Sequence, residues 1–239
     1  MGSYSGAAKW YDLLYSAEKD YEAEAAVLAT LLREVRPGTQ RVLDVACGTG
    51  EHARHLRALG LSVDGVDLEP EFVAITRTKV PDGKFTVADM ATVALPERYD
   101  AILCLFSSIG YVRTVERLEQ TISNFSSHLV PGGTLVVDPW FEPGQLTDHD
   151  VQVISVQADG LVACRVSRTV IVQTTSILEM EYLVGQSTGI ERRSERHELG
   201  LFTQEQIEAS FRAANLAVER RRGVLRKRGL YIGVLPPAA

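Results

Sequence analysis

A chain of 239 residues, 45% hydrophobic and 23% charged, is long enough to bury a full core as one α/β domain, with or without an insertion. Its 25 basic and 31 acidic side chains leave a net charge of −6, which argues against a general nucleic-acid binder. No apolar run approaches the ~20 residues that cross a bilayer, and no basic stretch leads into an apolar core near the first residue, so a cytoplasmic protein without membrane association is expected.

The first forty residues read as a polar-aromatic arm followed by a helix over about Tyr21–Glu34. Its apolar Ala25, Leu28, Leu31 and Leu32 recur at helical spacing, and Pro37-Gly38 ends it. Strands are expected at Arg41–Ala46, Ser62–Val66, Lys84–Val87 and Tyr99–Leu105, with a fifth at Thr134–Val137 after the turn Pro131-Gly132-Gly133. Helical patterns over 51–59, 70–78 and 115–129 fill the gaps. This alternation predicts a Rossmann-like, doubly wound, mostly parallel sheet covered on both faces. After Pro139 the texture changes to alternating, β-branched runs such as "VQVISV", "LVACRVSRTVIVQ" and "SILEMEYLV", which predict an antiparallel meander. Thr203 then caps a helix with Gln206 at the capping-box position, and two strands at about 216–222 and 229–235 close the chain. The expected division is a core of 1–139 and 202–239 with an inserted small sheet over 140–201 that contributes to substrate binding.

The stretch "LDVACGTGEHARHLRALG", residues 43–60, places a strand end, a glycine turn and a helix start at one point. Backbone N–H groups and a positive helix end meet there. Gly48-Thr49-Gly50-Glu51-His52-Ala53 formally satisfies the dinucleotide pattern G-x-G-x-x-A. Asp44, just before the turn, argues against that ligand, because a carboxylate would face the two negative charges of a pyrophosphate. A ligand with cations would instead favour it, and S-adenosylmethionine carries a sulfonium and an ammonium group; the plainer alternative is that Asp44 caps the next helix. Asp67, after the second strand, can accept hydrogen bonds from ribose hydroxyls, a feature shared with dinucleotide enzymes. Asp89 and Met90, after the third, offer a carboxylate for an adenine amino group and an apolar contact for the ring. Each acid alone could be a surface residue. Three acids after successive strands form a much more specific pattern.

"LDVACGTG", "GVDL", "ADM" and "LVPGG" resemble the motifs of class I S-adenosylmethionine-dependent methyltransferases. The resemblance implies that Asp44, Ala46, Gly48, Gly50, Asp67, Leu68, Asp89, Met90 and Leu105 bind S-adenosyl-L-methionine. The Asn/Asp-Pro-Pro-Tyr motif of nucleic-acid and protein N-methyltransferases is missing after the fourth strand, where "LCLFSSIGY" stands. Asp138-Pro139-Trp140-Phe141 imitates it, but follows the fifth strand.

A narrower resemblance covers nearly the whole chain. "YSG", "YDL", "KDYEAEA", "FSSIGY", "DPWF", "RVS", "LFTQEQIEASFRAANL" and "RGLYIGV" are similar to the N,N-dimethyltransferases of nucleotide-linked amino-deoxysugars, the desosamine and mycaminose type. This implies transfer of methyl groups to an amine on a thymidine-diphosphate hexose, in a homodimeric enzyme. It also implies cofactor contacts from Tyr11 and Tyr21, nucleotide-sugar contacts from Tyr4, Trp140, Arg165 and Arg228, and a place for Tyr111 beside the reacting amine. Packing alone would equally account for Tyr11, Tyr21 or Trp140. Two departures stand near substrate: "GVLRK" replaces a Gly-Pro-Ser-Gly stretch, and Asp138 stands where glutamate is usual.

Six of the nine residues 220–228 are cationic, which reads either as a solvated edge or as a pocket for a compact anion. The second reading assigns the diphosphate to Arg165 and Arg228 and leaves Arg220 to Arg222 mostly to solvent. His52 and His55 stand three apart on one helix, and a surface face is expected for them rather than a metal site. Cys47, Cys104 and Cys164 show no metal-like pairing and fit a reducing compartment; no metal is expected.

Methyl transfer from a sulfonium to a neutral amine is a direct displacement in which orientation can contribute about 7–11 kcal/mol. A strong general base is not required, and Tyr111, with its hydroxyl as acceptor, is the candidate for positioning the amine. The rival readings are a nicotinamide-dependent oxidoreductase, disfavoured by Asp44, a non-catalytic cofactor-binding protein, and a methyltransferase acting on another small-molecule amine or hydroxyl.

Overall fold

In the computed structural model, which describes residues 8–16, 19–158 and 160–238, the strands β1 (Arg41–Val45), β2 (Ser62–Asp67), β3 (Phe85–Val87), β4 (Tyr99–Cys104) and β5 (Leu129–Val137) run parallel. The hairpin β10 (Ala217–Arg221) and β11 (Leu230–Val234) adds antiparallel to β5 through Tyr231↔Val137 and Ile232↔Val136. The sheet order is β10-β11-β5-β4-β1-β2-β3, so chain direction across the sheet reverses between β1 and β4. Open α/β sheets bind ligands at the carboxyl ends of the strands beside such a reversal.

Alternation along the strands builds two cores. Val42, Val63, Leu103 and Val136 pack under α2 (Tyr21–Val35) and α3 (Glu51–Ala58), through Leu28, Leu32, Ala53 and Leu56. Their neighbours Leu43, Ile102, Leu135 and Tyr231 point the other way, onto α5 (Val115–Ser127) and α6 (Gln204–Ala213), through Leu118, Phe125, Ile207 and Phe211. The helix α4 (Pro70–Lys79) adds Val73 to the first core. Burial on both faces is what near-continuous apolar strands require. At the start of α6 the expected capping box is present: the Thr203 hydroxyl accepts from the Gln206 amide at 3.2 Å, and the Gln206 side chain accepts from the Thr203 amide at 2.9 Å.

The meander forms a separate four-stranded antiparallel sheet, β6 (Val151–Ala158), β7 (Leu161–Val172), β8 (Thr175–Gln186) and β9 (Gly189–Gly200). Two elements differ from the expectation. The segment Pro131-Gly132-Gly133 lies inside β5, whose pairing jumps from Tyr99↔Leu129 to Ala101↔Thr134, so the glycines make an irregularity within the strand. The polar-aromatic arm contains a helix, α1 (Ala8–Ser16), whose Trp10 and Leu14 pack on Ala163, Met180, Tyr182 and Val184 of the small sheet. Among the described residues no helix is long and apolar enough to cross a membrane.

Candidate active site

The turn after β1 is set by backbone chemistry. Gly48 and Gly50 have φ of +57° and +81°, a region that costs other residues about 1–2 kcal/mol. A Cβ on Gly50 would lie 2.6 Å from Thr76 Cγ2, and Thr76 is pinned by its hydroxyl donating to the Gly48 carbonyl at 2.7 Å. A Cβ on Gly48 would meet nothing within 4 Å, so that side of the turn faces open space. Ala46 also has positive φ, +55°.

The three strand-end acids play three different parts. Asp44 is 2% exposed, and its Oδ2 has no hydrogen-bond partner among the described residues. Burial, reinforced by Asp67, pushes its carboxyl up to about 7, with Lys19 acting weakly in the opposite sense. Asp67 ties the turn down: its Oδ2 accepts from the Gly48 amide at 2.8 Å and its Oδ1 from the Glu69 amide at 2.9 Å. Each oxygen keeps acceptor capacity for a hydroxyl. Beside it Leu68 is 59% exposed, an apolar surface at the strand end. Asp89 caps the amide of Ala91 at 2.8 Å and receives Arg117 Nη2 at 2.9 and 3.2 Å. Met90 packs on the second core, and Leu105 is buried against the first. A buried, unpartnered carboxylate oxygen beside an open glycine turn and an exposed leucine fits a ligand with a cation at one end and a flat ring at the other.

The helix α1 lies against this turn. Asp12 accepts from the Thr49 hydroxyl and from Lys79, and Lys79 also reaches Glu51 at 2.7 Å. Tyr11 meets Tyr15 in a tilted contact at 4.4 Å and Phe72 edge-on at 5.0 Å. Its phenol is held well above the ordinary value by burial, then by Tyr15, Tyr21, Tyr111 and Asp67, which places all four within its electrostatic reach. Tyr21 is buried against His52 at 5.0 Å, with Lys19 over its ring at 4.6 Å.

Two cations face Phe106, just past the end of β4, and two more stand on its neighbours Tyr15 and Ser107. Phe106 and Ser107 have φ of +52° and +62°, a strained pair of the kind that marks functional sites. Lys19 Nζ stands 4.0 Å from the Phe106 centroid and the Arg226 guanidinium 5.1 Å. Tyr15 meets the same ring edge-on at 5.1 Å, and its hydroxyl accepts from Arg165 Nη1 at 2.7 Å. Arg228 donates to the Ser107 hydroxyl at 3.0 Å and the Pro139 carbonyl at 3.1 Å, and stacks over Phe141 at 4.4 Å and Trp140 at 5.6 Å. Arg165 Nε and Asp138 Oδ1 are buried without partners among the described residues. Burial raises the Asp138 carboxyl against the pull of Arg228, Arg226 and Lys19. Lys19 itself is pulled down by burial, although Glu24 holds it at 3.0 Å.

Tyr111 sits in the single-turn 3-10 segment Ser108–Val112, with its hydroxyl 3.2 Å from His197 Nδ1. Tyr4 lies outside the described residues. Two expectations are corrected. His52 is 8% exposed rather than on a surface face, and it holds Glu24 at 2.8 Å; burial opposes ionisation of Glu24, yet His52 and Lys19 keep that carboxyl near 2. Arg220 does not face solvent: its side chain is 8% exposed, pairs with Glu142 at 2.8 Å and donates to the Arg228 carbonyl, since an arginine inside the β10–β11 hairpin can span it. Sequence reasoning missed Asp12, Tyr15, Lys19, Phe106 and His197. Only "YDL", "KDYEAEA" and "FSSIGY", which hold Asp12, Lys19 and Phe106, carried any signal for these.

A seven-stranded sheet with this order, an acid-lined glycine turn at its reversal point and an added antiparallel sheet defines a class I methyltransferase. Residues 42–133 match the methyltransferase domain family. The chain is 40% identical over 237 residues to a dTDP-3-amino-3,6-dideoxy-alpha-D-glucopyranose N,N-dimethyltransferase of Streptomyces fradiae, covering 98% of this chain and 93% of that protein. The crystal structure of DesVI from Streptomyces venezuelae superposes with a TM-score of 0.91 at 36% identity, over 97% of this chain and 98% of that one. An S-adenosylmethionine-bound amino pentose methyltransferase of calicheamicin biosynthesis, from Micromonospora echinaspora, superposes with a TM-score of 0.85 at 34% identity, over 94% and 95%. The chain belongs to the S-adenosylmethionine-dependent aminosugar N-methyltransferases, and is an enzyme that uses this cofactor.

Proposed function

We propose that this enzyme N,N-dimethylates the amino group of a thymidine-diphosphate-linked amino-deoxysugar in natural-product biosynthesis. The observation that carries the reading is the cation cluster on an acidic protein, with Lys19 and Arg226 at Phe106, Arg228 at Ser107 and Arg165 at Tyr15, next to the strand end that holds Asp44. Arginine supplies both the charge and the forked donors that a diphosphate needs, and Arg165 Nε is a buried donor awaiting an acceptor. When bound, S-adenosylmethionine supplies an electrophilic methyl group. Asp44 would hold its cationic end, Asp67 its ribose, and Leu68, Asp89 and Met90 its adenine, with Tyr11, Tyr21, Ala46, Gly48, Gly50 and Leu105 closing around it. Tyr4, Trp140, Arg165 and Arg228 would hold the nucleotide sugar and Tyr111 the amine. Residues 140–201 act as an inserted substrate-binding sheet on a core of 1–139 and 202–239. The test compares a free aminosugar with its nucleotide-linked form: a much higher kcat/KM is expected for the linked form, and equal values would remove the diphosphate from the recognition scheme.

A homodimer is part of this reading. The outer face of the small sheet exposes Val153, Val162, Val166, Leu183 and Ile190, interspersed with the paired charges Arg168–Glu179 and Arg192–Glu181. Exposed apolar patches of this kind mark association surfaces. Leu183→Lys should convert a dimer in sedimentation to a monomer, and a wild-type monomer would end this proposal. The three cysteines are free, two of them buried, which supports a cytoplasmic location.

A further inference from the structure

The Tyr111 hydroxyl does not end at His197. From His197 the hydrogen bonds continue inward: His197 Nε2 lies 3.1 Å from Glu195 Oε2, and the Tyr182 hydroxyl donates to that same oxygen at 3.0 Å. The His197 and Glu195 side chains are 0% and 3% exposed. They sit at alternate positions of β9 and point to one face of it. This polar chain lies on the inward face of the sheet, beside the apolar Ala163, Met180 and Val184 and the buried Arg165, which stands opposite Tyr182. A buried polar network of this kind is costly unless each member is bonded, so packing alone gives no reason for it.

The geometry points to His197 and Glu195 as positioning residues that set the direction of the Tyr111 hydrogen bond and take up the proton released by the amine. The inference rests on the amine-methylation reading above. Glu195 Oε2 accepts from Tyr182 and acts as acceptor toward His197 as well, so Nε2 carries the imidazole proton. Nδ1 is then the acceptor, and the Tyr111 hydroxyl donates to it. Its proton so committed, the Tyr111 oxygen can only accept toward the substrate, and an amine N–H is a donor. In the reaction the lone pair of the neutral amine forms the new N–C bond while the C–S bond breaks and its electron pair stays on sulfur. The amine nitrogen, now cationic, gives its proton to Tyr111 Oη as the Tyr111 proton moves to His197 Nδ1. The positive charge of the methyl donor ends on an imidazolium held against the Glu195 carboxylate, and Glu195 itself stays unprotonated. Once the methylated amine leaves, the Tyr111 hydroxyl gives its proton to water entering the emptied site as the His197 Nδ1 proton returns to Tyr111 Oη, which restores the tautomer.

The chain is tested with and without substrate. In the protein as isolated, nitrogen-15 NMR of the histidines should place the His197 proton on Nε2, and Tyr111→Phe should shift the Nδ1 resonance. A proton on Nδ1, or no response to Tyr111→Phe, would overturn the proposed direction. In turnover, Tyr111→Phe and His197→Asn, which keeps an acceptor but no base, should each lower kcat about 10²-fold, the low end for proton-transfer groups, with KM changing far less than kcat. The double variant should be no slower than either single one. Losses that multiply, or a His197→Asn kcat equal to wild type, would refute the relay; if no aminosugar is methylated by the wild type, the substrate reading fails and the NMR result alone decides the hydrogen-bond direction.

Discussion

The two ends of the site are built by different rules. The cofactor end, from Asp44 to Met90, comes from consecutive strand–helix units: each contributes an acid at its strand end, and the geometry follows from backbone dihedrals and parallel pairing. The substrate end around Phe106 draws Lys19, Arg165 and the pair Arg226 and Arg228 from three separated segments, held by cation–ring contacts and by side-chain hydrogen bonds. A change at the first end should therefore act on the fold and on every ligand together. A change at the second should act on one ligand and spare the other.

The largest effect is expected at the turn. Gly50→Ala forces a Cβ to 2.6 Å from Thr76 in a left-handed conformation. The conformational cost is about 1–2 kcal/mol, and overpacking against a pinned neighbour adds about 1–3 kcal/mol. Urea denaturation should show a loss in that combined range, with cofactor binding lost in parallel. A variant with wild-type stability would mean that the turn is softer than its contacts imply.

Arg228→Ala should separate the two ends. It removes charge-assisted hydrogen bonds, each worth about 1.5–3 kcal/mol, so KM for a nucleotide-linked aminosugar should rise roughly 10- to 100-fold. The dissociation constant for S-adenosylmethionine should stay within about twofold, because no charge-assisted contact to it is lost. Equal weakening of both ligands would show that Phe106 and the glycine turn form one mechanical unit.

How far these ends were legible follows the same division. The β1 turn, the strand-end acids and the α6 capping box are each written within a few consecutive residues, where dihedral preference and period decide the outcome. The five parallel strands and the meander came from the same local periodicities. Glycine at 132 and 133 signals a break, but the break falls inside β5, since only the partner strand β4 reveals the register jump. The helix α1 was obscured by its polar-aromatic composition: Trp10 and Leu14 show helical spacing, yet the surface they bury lies on β7 and β8, more than a hundred residues away. Arg165–Tyr15 and Tyr111–His197 are contacts of the same long-range kind, 150 and 86 residues apart. The burial of His52 by Glu24 depends on α2 packing over α3, which a helical pattern of polar residues does not disclose.

Asp44 gives a pH signature to the cofactor end. Its free-protein pKa, raised by burial and Asp67 to about 7, lies above the usual 3.8. Ionising it costs the folded state, so this group's contribution to stability declines as pH rises through that window. A ligand ammonium reverses the balance by favouring the carboxylate. Binding of S-adenosylhomocysteine, which keeps the ammonium, should therefore release a proton below pH 7 and be roughly tenfold weaker at pH 6 than at pH 8. Calorimetry in buffers of different ionisation enthalpy reads the proton directly. Asp44→Asn should flatten the profile, and a pH-independent wild type would take Asp44 out of contact with the cation.

The smallest effect belongs to the helix that links the two ends. On α1, Asp12 receives the Thr49 hydroxyl of the glycine turn and the Lys79 ammonium, while Trp10 and Leu14 on the same helix reach the small sheet. On the proposed reading the cofactor would lie at the glycine turn that this contact covers, so the ion pair bears on the dissociation rate more than on the chemistry. Asp12→Asn keeps an acceptor for Thr49 and removes the charge that faces Lys79. The Asp12 and Lys79 side chains are 33% and 22% exposed, so solvent screens the pair. A value of about 0.2–1 kcal/mol is appropriate, which corresponds to at most about a fivefold faster release of S-adenosylmethionine. Lys79 also keeps Glu51 at 2.7 Å, so the ammonium is not left unpaired in the variant. Stopped-flow release at low salt should show the increase, and the difference from wild type should shrink at high salt, because salt screens a partly exposed ion pair. A change well beyond fivefold would mean that α1 moves as a single latch with the Tyr11 and Tyr15 contact. No change at all would mean that the aromatic contacts hold the helix without the ion pair.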